Sequence, residues 1–168
     1  TADERAWDVV VLQEQSQIPG FPDGNPERAA SEDGASALAA LADAEGAATV
    51  LYVTWGRERG DDTNPGLFPD FETMEAALEA GYRSMAARLT GEGRTVRLAP
   101  VGPAFARIHA AIVAGGGDPT LDGSPFDALY DADASHPSPL GTYLAACVIL
   151  GTITGRVTTS AGSPPTQA

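Results

Sequence analysis

Asp133-Ala134-Ser135-His136 is the stretch of this chain whose residue types and spacing could carry acid–base chemistry. Imidazole changes charge near neutral pH, and a carboxylate three residues earlier in a loop can hold it in one tautomer. One ring nitrogen then meets the carboxylate while the other takes a proton from a nucleophilic hydroxyl, the work of the base in a serine hydrolase. The competing reading makes His136 an N-terminal helix residue and Asp133 a cap beside it. In a chain this rich in acids, spacing alone does not separate the two.

Other reactive residue types point to packing or solvation. His109 sits among Ala110, Ala111 and Ile112 in a helical stretch and is expected to be a packed or exposed helix residue. With two histidines in such different contexts, no metal triad is evident, and no cofactor is called for. Cys147 is the single cysteine, which leaves no internal disulfide, and its apolar surroundings predict a buried small hydrophobe. Arg57, Glu58, Arg59, Asp61 and Asp62 read as a solvated mixed-charge loop. Gly115, Gly116 and Gly117 end a helix and do not open one, which excludes a phosphate cradle.

Something must position the Asp-His loop, and the chain alternates strand and helix patterns three times before reaching it. Trp7 to Gln13 is a β-branched run without alternation, the pattern of a parallel strand covered on both faces. An Ala-rich helix follows over 27–45, then a strand over 48–54. Next come a helix from Asp70 with Phe71, Met74, Leu78, Tyr82, Met85 and Leu89 on one stripe, a short strand over 95–99, and a helix over 103–114. One turn of helix is expected around Phe126 to Tyr130. A last helix starts near Pro137 to Pro139 and presents Leu140, Tyr143, Leu144, Cys147, Val148 and Gly151 before Gly155 stops it. Alternation of this kind predicts a parallel sheet with helices on both faces, one domain over 1–156 and a tail or linker over 157–168. Ligands on such sheets sit at the carboxyl ends of the strands, here the segments after Gln13, Thr54 and Ala99 and the loop over 119–136.

The wording around the pair carries more information than the pair itself. Asp133 to Ala146 reads Asp-x-x-His-Pro-Ser-x-x-Gly-x-Tyr-Leu-Ala-Ala and resembles the last conserved block of the SGNH (GDSL-type) hydrolases. Trp7-Asp8-Val9-Val10-Val11-Leu12-Gln13-Glu14-Gln15-Ser16 is similar to the third-strand segment of a poorly characterised bacterial branch of that superfamily, and Leu51 to Gly56 resembles the same branch. The resemblance implies a flavodoxin-like three-layer α/β/α sandwich with a parallel sheet, in which His136 is the base and Asp133 its orienting carboxylate. Commoner members carry Gly-x-Asn-Asp after the third strand. Here Gln13, Gln15, Ser16 and Gln17 stand in its place, and Gln13 or Gln15 is expected to donate to an oxyanion as that Asn does. Trp55 would line the pocket.

The family's first strand, ending in Gly-Asp-Ser or Gly-Asn-Ser, and its second block with an oxyanion glycine have no counterpart in this sequence. Ser16 lacks a Gly-x-Ser-x-Gly elbow, Ser135 lies inside the Asp-His loop, and Ser31, Ser36 and Ser84 fall in helices. The expectation is therefore an N-terminally truncated domain whose nucleophile lies upstream and which, alone, has no turnover. The implied substrates are small acyl esters or acetylated glycans; the alternative is a non-catalytic domain binding a carbohydrate or a partner on the same scaffold.

Charge narrows the partners. Ten basic against 23 acidic residues give a net charge of -13, which repels nucleic acid and anionic membranes. The longest apolar stretch, Tyr143 to Thr154, is about a dozen residues, short of the ~20 that span a bilayer, so no membrane insertion is expected. Compartment and oligomeric state are left open.

Overall fold

A computed structural model of the chain describes residues 7–15 and 17–156. Three parallel strands, β1 (Val9–Leu12), β2 (Ala48–Tyr52) and β3 (Val96–Ala99), form a sheet in the order β1-β2-β3. Leu12 lies opposite Leu51, and Leu51 opposite Leu98. Helices α1 (Pro26–Ala44) and α2 (Phe71–Gly91) connect these strands and pack on one face, where Ala39, Leu51, Val53, Tyr82, Met85 and Leu89 close a core. Helices α3 (Val101–Ala114) and α4 (Pro139–Thr154) cover the other face through Tyr52, Val101, Phe105, Phe126, Leu129 and Ala145. The result is the three-layer α/β/α arrangement expected from the alternation.

Local chemistry sets the helix ends. Asn25 accepts from the backbone N–H groups of Glu27 and Arg28, with Pro26 at the first helical position of α1. Asp70 accepts from Thr73 N–H at 2.7 Å to open α2. The stripe read from the sequence is the buried one, Phe71, Met74, Leu78, Tyr82, Met85 and Leu89, each burial contributing about 2 kcal/mol. Ser138 caps α4 by accepting from Leu140 and Gly141 N–H, and Gly155 ends it in the left-handed region at φ 68°.

Three expectations need correction. β1 is not covered on both faces: it is the sheet edge, and Val11 is 40% exposed. Val11 shares the α3/α4 side of the sheet with its partner Val50, but those helices sit over β2 and β3. In α4 the buried residues are Gly141 and Ala145, with Leu144, Val148 and Ile149 against the core, whereas Leu140 is exposed and Cys147 partly so. A helix apolar all round carries no stripe from which its rotation can be read. The loop over 57–62 is also not simply solvated, since Glu58 and Asp61 are buried. The proposed tail over 157–168 lies outside the described residues.

Candidate functional site

A cavity of about 460 Å³ opens at the carboxyl ends of β1 and β2, where Gln13, Glu14 and Gln15 face Thr54, Trp55, Ser135 and His136 across it. The strand-end rule therefore located it, although the segment after Ala99 takes no part in its lining. Gln15 and the backbone behind it are held by a turn. Gln15 Nε2 donates to Gln17 Oε1 at 3.2 Å, and Gln17 N–H donates back to Gln15 Oε1 at 3.3 Å. The short 3₁₀ turn Ile18–Gly20 that follows can lie on α2 because position 81 is glycine, where a Cβ would meet Pro19 O at 1.8 Å. Gln17 itself does not line the cavity; its Oε1 also accepts from Arg57 Nη2 at 2.9 Å. Ser16 lies outside the described residues.

Asp133 and His136 meet as the sequence suggested. His136 Nδ1 lies 2.5 Å from Asp133 Oδ2, while Asp133 Oδ1 accepts from the backbone N–H groups of Ser135 at 3.0 Å and His136 at 2.8 Å. One carboxylate oxygen thus folds the turn and the other fixes the ring. The bond to His136, seconded by the two backbone donors, holds the Asp133 carboxyl well below the usual carboxylate range. Ala134 pays for the tight turn with φ 55°, a region that costs a non-glycine residue about 1–2 kcal/mol. Asp131 N–H donates to His136 O at 2.8 Å and closes the loop. The imidazole is 79% and the carboxylate 52% exposed to solvent.

Two bonds from the segment after β2 grip this loop. Trp55 Nε1 donates to Ser135 O at 3.1 Å, and Glu58 N–H donates to Ala134 O at 2.9 Å. Trp55 is stacked on Phe105 with centroids 5.2 Å apart and meets Tyr52 edge-on at 6.2 Å, so it is a wall and an anchor at once. Burial, reinforced by Tyr82, pushes the Tyr52 hydroxyl up to about 12, which keeps it neutral at the cavity floor. Beneath this segment, Glu75 Oε2 accepts from Gly56 N–H at 2.9 Å and the Tyr130 hydroxyl donates to Gly56 O at 2.6 Å.

Glu75 and Tyr130 were missed in the sequence. Glu75 falls four residues after Phe71 and three before Leu78, on the buried stripe of α2, and that position was the available signal. Arg57 pairs with the buried Asp61, which also accepts from Thr63 N–H and Asn64 Nδ2. His109 is packed between Phe71 and Phe126, with ring centroids at 4.8 and 4.9 Å, away from the cavity. Among the described residues no cluster of three or more His, Cys, Asp or Glu side chains could hold a metal ion.

No family model matches the chain, and neither does any curated protein. Among solved structures, a candidate SGNH hydrolase from Slackia heliotrinireducens matches with a TM-score of 0.64 and 29% identity, covering 89% of this chain and 67% of that one. A DUF4886 family protein from Bacteroides uniformis has the same TM-score of 0.64 at 18% identity, covering 96% of this chain and 56% of its own. The chain has an SGNH-like hydrolase fold and spans about two thirds and about half, respectively, of these two neighbours.

Proposed function

We propose that the chain forms the general-base half of a serine-type carboxylic ester hydrolase, with the nucleophilic serine on a segment that adds to the free side of β1. The observation that carries this reading is the His136–Asp133 contact of 2.5 Å at the rim of a strand-end cavity. In that reaction His136 takes the serine proton through Nε2, the serine oxygen attacks the ester carbonyl, and Asp133 stabilises the imidazolium. An amide N–H of Gln13 or Gln15 holds the tetrahedral oxyanion; each amide has two donors, so the bond from Gln15 to Gln17 leaves one for substrate. His136 then returns its proton to the leaving alcohol, and water repeats the cycle on the acyl-enzyme. Small acyl esters and acetylated glycans are the proposed substrates, and the steps call for side chains and water, with no cofactor.

Among the described residues nothing pairs with the outer edge of β1, which supports placing the additional segment there. Val11 is exposed on that edge strand, and His136 is open to solvent at the carboxyl end of the sheet. A strand pairing with β1, followed by a helix over Val11, would cover that residue and end beside His136. The test is the protein expressed from its full reading frame and treated with a fluorophosphonate ester. Expected are a label on a serine upstream of Thr1, hydrolysis of p-nitrophenyl acetate, and loss of both in His136→Ala. A folded full-length protein with neither label nor hydrolysis, or a label on Ser135, overturns the reading.

A further inference from the structure

Glu75 is a buried carboxyl directly beneath the segment that grips the Asp-His loop. Its Oε2 accepts from Gly56 N–H at 2.9 Å, and its Oε1 is buried with no hydrogen-bond partner among the described residues. Position 102 must be glycine here: a Cβ would lie 2.3 Å from Thr54 O and 2.5 and 2.8 Å from the two Glu75 oxygens. The carboxyl and the Thr54 carbonyl therefore converge on the same gap. From the other side the Tyr130 hydroxyl holds Gly56 O. The two bonds from this segment to the loop, Trp55 Nε1 to Ser135 O and Glu58 N–H to Ala134 O, leave from residues on either side of Gly56.

We propose that Glu75 is a positioning residue whose proton locks the Trp55–Glu58 segment, and through it the Asp133–His136 loop, in the geometry described. A neutral carboxyl turns Oε1–H toward the carbonyl oxygen that shares its gap and satisfies the orphaned atom. Loss of the proton leaves a buried charge facing that oxygen, and the least costly relief is for the Gly56 segment to move and admit water. Burial pushes Glu75 up to about 7, so the change falls in the neutral range. The groups that face it act in both directions: the Gly56 N–H favours the charged form, and burial outweighs it. Glu79, on α2 itself, favours the neutral form. Tyr130 approaches from the facing loop and is held neutral by its own burial, with Glu75 and Glu58 acting on it in the same direction. Helix α3 approaches it at Gly102, and Arg57 is committed to Asp61 and Gln17.

The effect on turnover rests on the ester-hydrolase reading, whereas the effect on loop position does not, and the test reads position. The Trp55 indole N–H reports its bond to Ser135 O as one resonance in a ¹H–¹⁵N spectrum of the chain. It is followed from about pH 5 to about 9 in the wild type, in Glu75→Gln and in His136→Ala, the last as a control for the imidazole that neighbours Ser135. Expected is an inflection near 7 in the wild type and in His136→Ala, and none in Glu75→Gln. An inflection that survives Glu75→Gln, that vanishes with His136→Ala, or that is absent from the wild type overturns the proposal. Should Glu75→Gln not fold, ¹³C-carboxyl labelling of glutamate reads Glu75 directly, and its midpoint must coincide with that of the indole; two separate midpoints overturn it. Absence of hydrolysis in the full-length protein would refute the ester reading and leave this result standing.

Discussion

Asp133 divides its two oxygens between folding and chemistry, and substitutions can separate the two. Asparagine retains an oxygen to accept from Ser135 and His136 N–H, so Asp133→Asn is expected to keep the turn. Its amide, though, puts a donor against Nδ1 and forces the proton onto Nε2, the nitrogen that must accept one. In the full-length protein kcat should fall by roughly 10⁴, the scale seen where a serine protease loses its tautomer-fixing carboxylate. Alanine loses both functions, so Asp133→Ala should match that kinetic loss and also melt below Asp133→Asn. Equal melting temperatures would remove the folding role, and an undiminished kcat in Asp133→Asn would remove the orienting one. Acid should spare this turn. Because the folded carboxyl is held below its ordinary value near ~3.9, its contribution is complete above that value and is lost only as pH falls through the lower, folded one. The His136 backbone N–H should stay protected from exchange at pH values where ordinary carboxylates are already half protonated.

At the level of elements, the loop is as well placed as the segment that holds it. Trp55→Phe retains an aromatic ring against Phe105 and deletes only the bond to Ser135 O, so it isolates that anchor. The expected loss is about 1 kcal/mol of stability, with faster amide exchange at Ser135 and His136 and about tenfold lower kcat in the full-length protein. Exchange unchanged from the wild type would show that Glu58 N–H holds the loop without help. What the sequence disclosed follows the range of the interactions involved. The Asp-His contact was legible because four consecutive residues contain both partners. The buried stripe of α2 was legible because polar residues flank it, whereas α4, apolar all round, concealed its rotation. Gln13 and Trp55 could be located because strand ends in a parallel sheet converge on one rim. Burial of Glu58 and Asp61 was not legible. It comes from chain that packs on them from elsewhere: Asp61 N–H donates to Phe68 O and Glu58 N–H to Ala134 O, contacts that no local pattern encodes. The grip of Glu75 and Tyr130 on Gly56, 19 and 74 residues apart in sequence, is likewise tertiary.

For the whole molecule, pH acts through two properties that move in opposite directions. Between the ordinary glutamate value and about 7, the folded state binds a proton at Glu75 that the unfolded chain does not. Stability contributed there is present at the acid end and declines as pH rises through that window, by up to roughly 3 kcal/mol. Urea melts should show the decline in the wild type and a flatter profile in Glu75→Gln; parallel profiles would mean that Glu75 keeps its ordinary affinity for protons. Solubility runs the other way. With a net charge of -13 and an isoelectric point near 4.3, the chain is strongly self-repelling at neutral pH and loses that repulsion as pH falls toward 4.3. The surface left unprotected is the outer side of β1. There a strand edge that is unpaired among the described residues adjoins an apolar groove of about 220 Å³ lined by Trp7, Val10, Leu38 and Leu41. Such an edge templates pairing with a second copy unless charge keeps copies apart. Sedimentation is therefore expected to give a monomer at pH 7.5 in low salt. Larger species should appear near pH 5, or at pH 7.5 in high salt, where screening shortens the reach of the repulsion to a few ångströms. Val11→Lys places a cation on the free edge, where natural sheets use lysine to block pairing, and should restore the monomer under both conditions. Association that persists unchanged in Val11→Lys would locate the sticky surface elsewhere and remove the β1 edge as the place where an upstream strand adds.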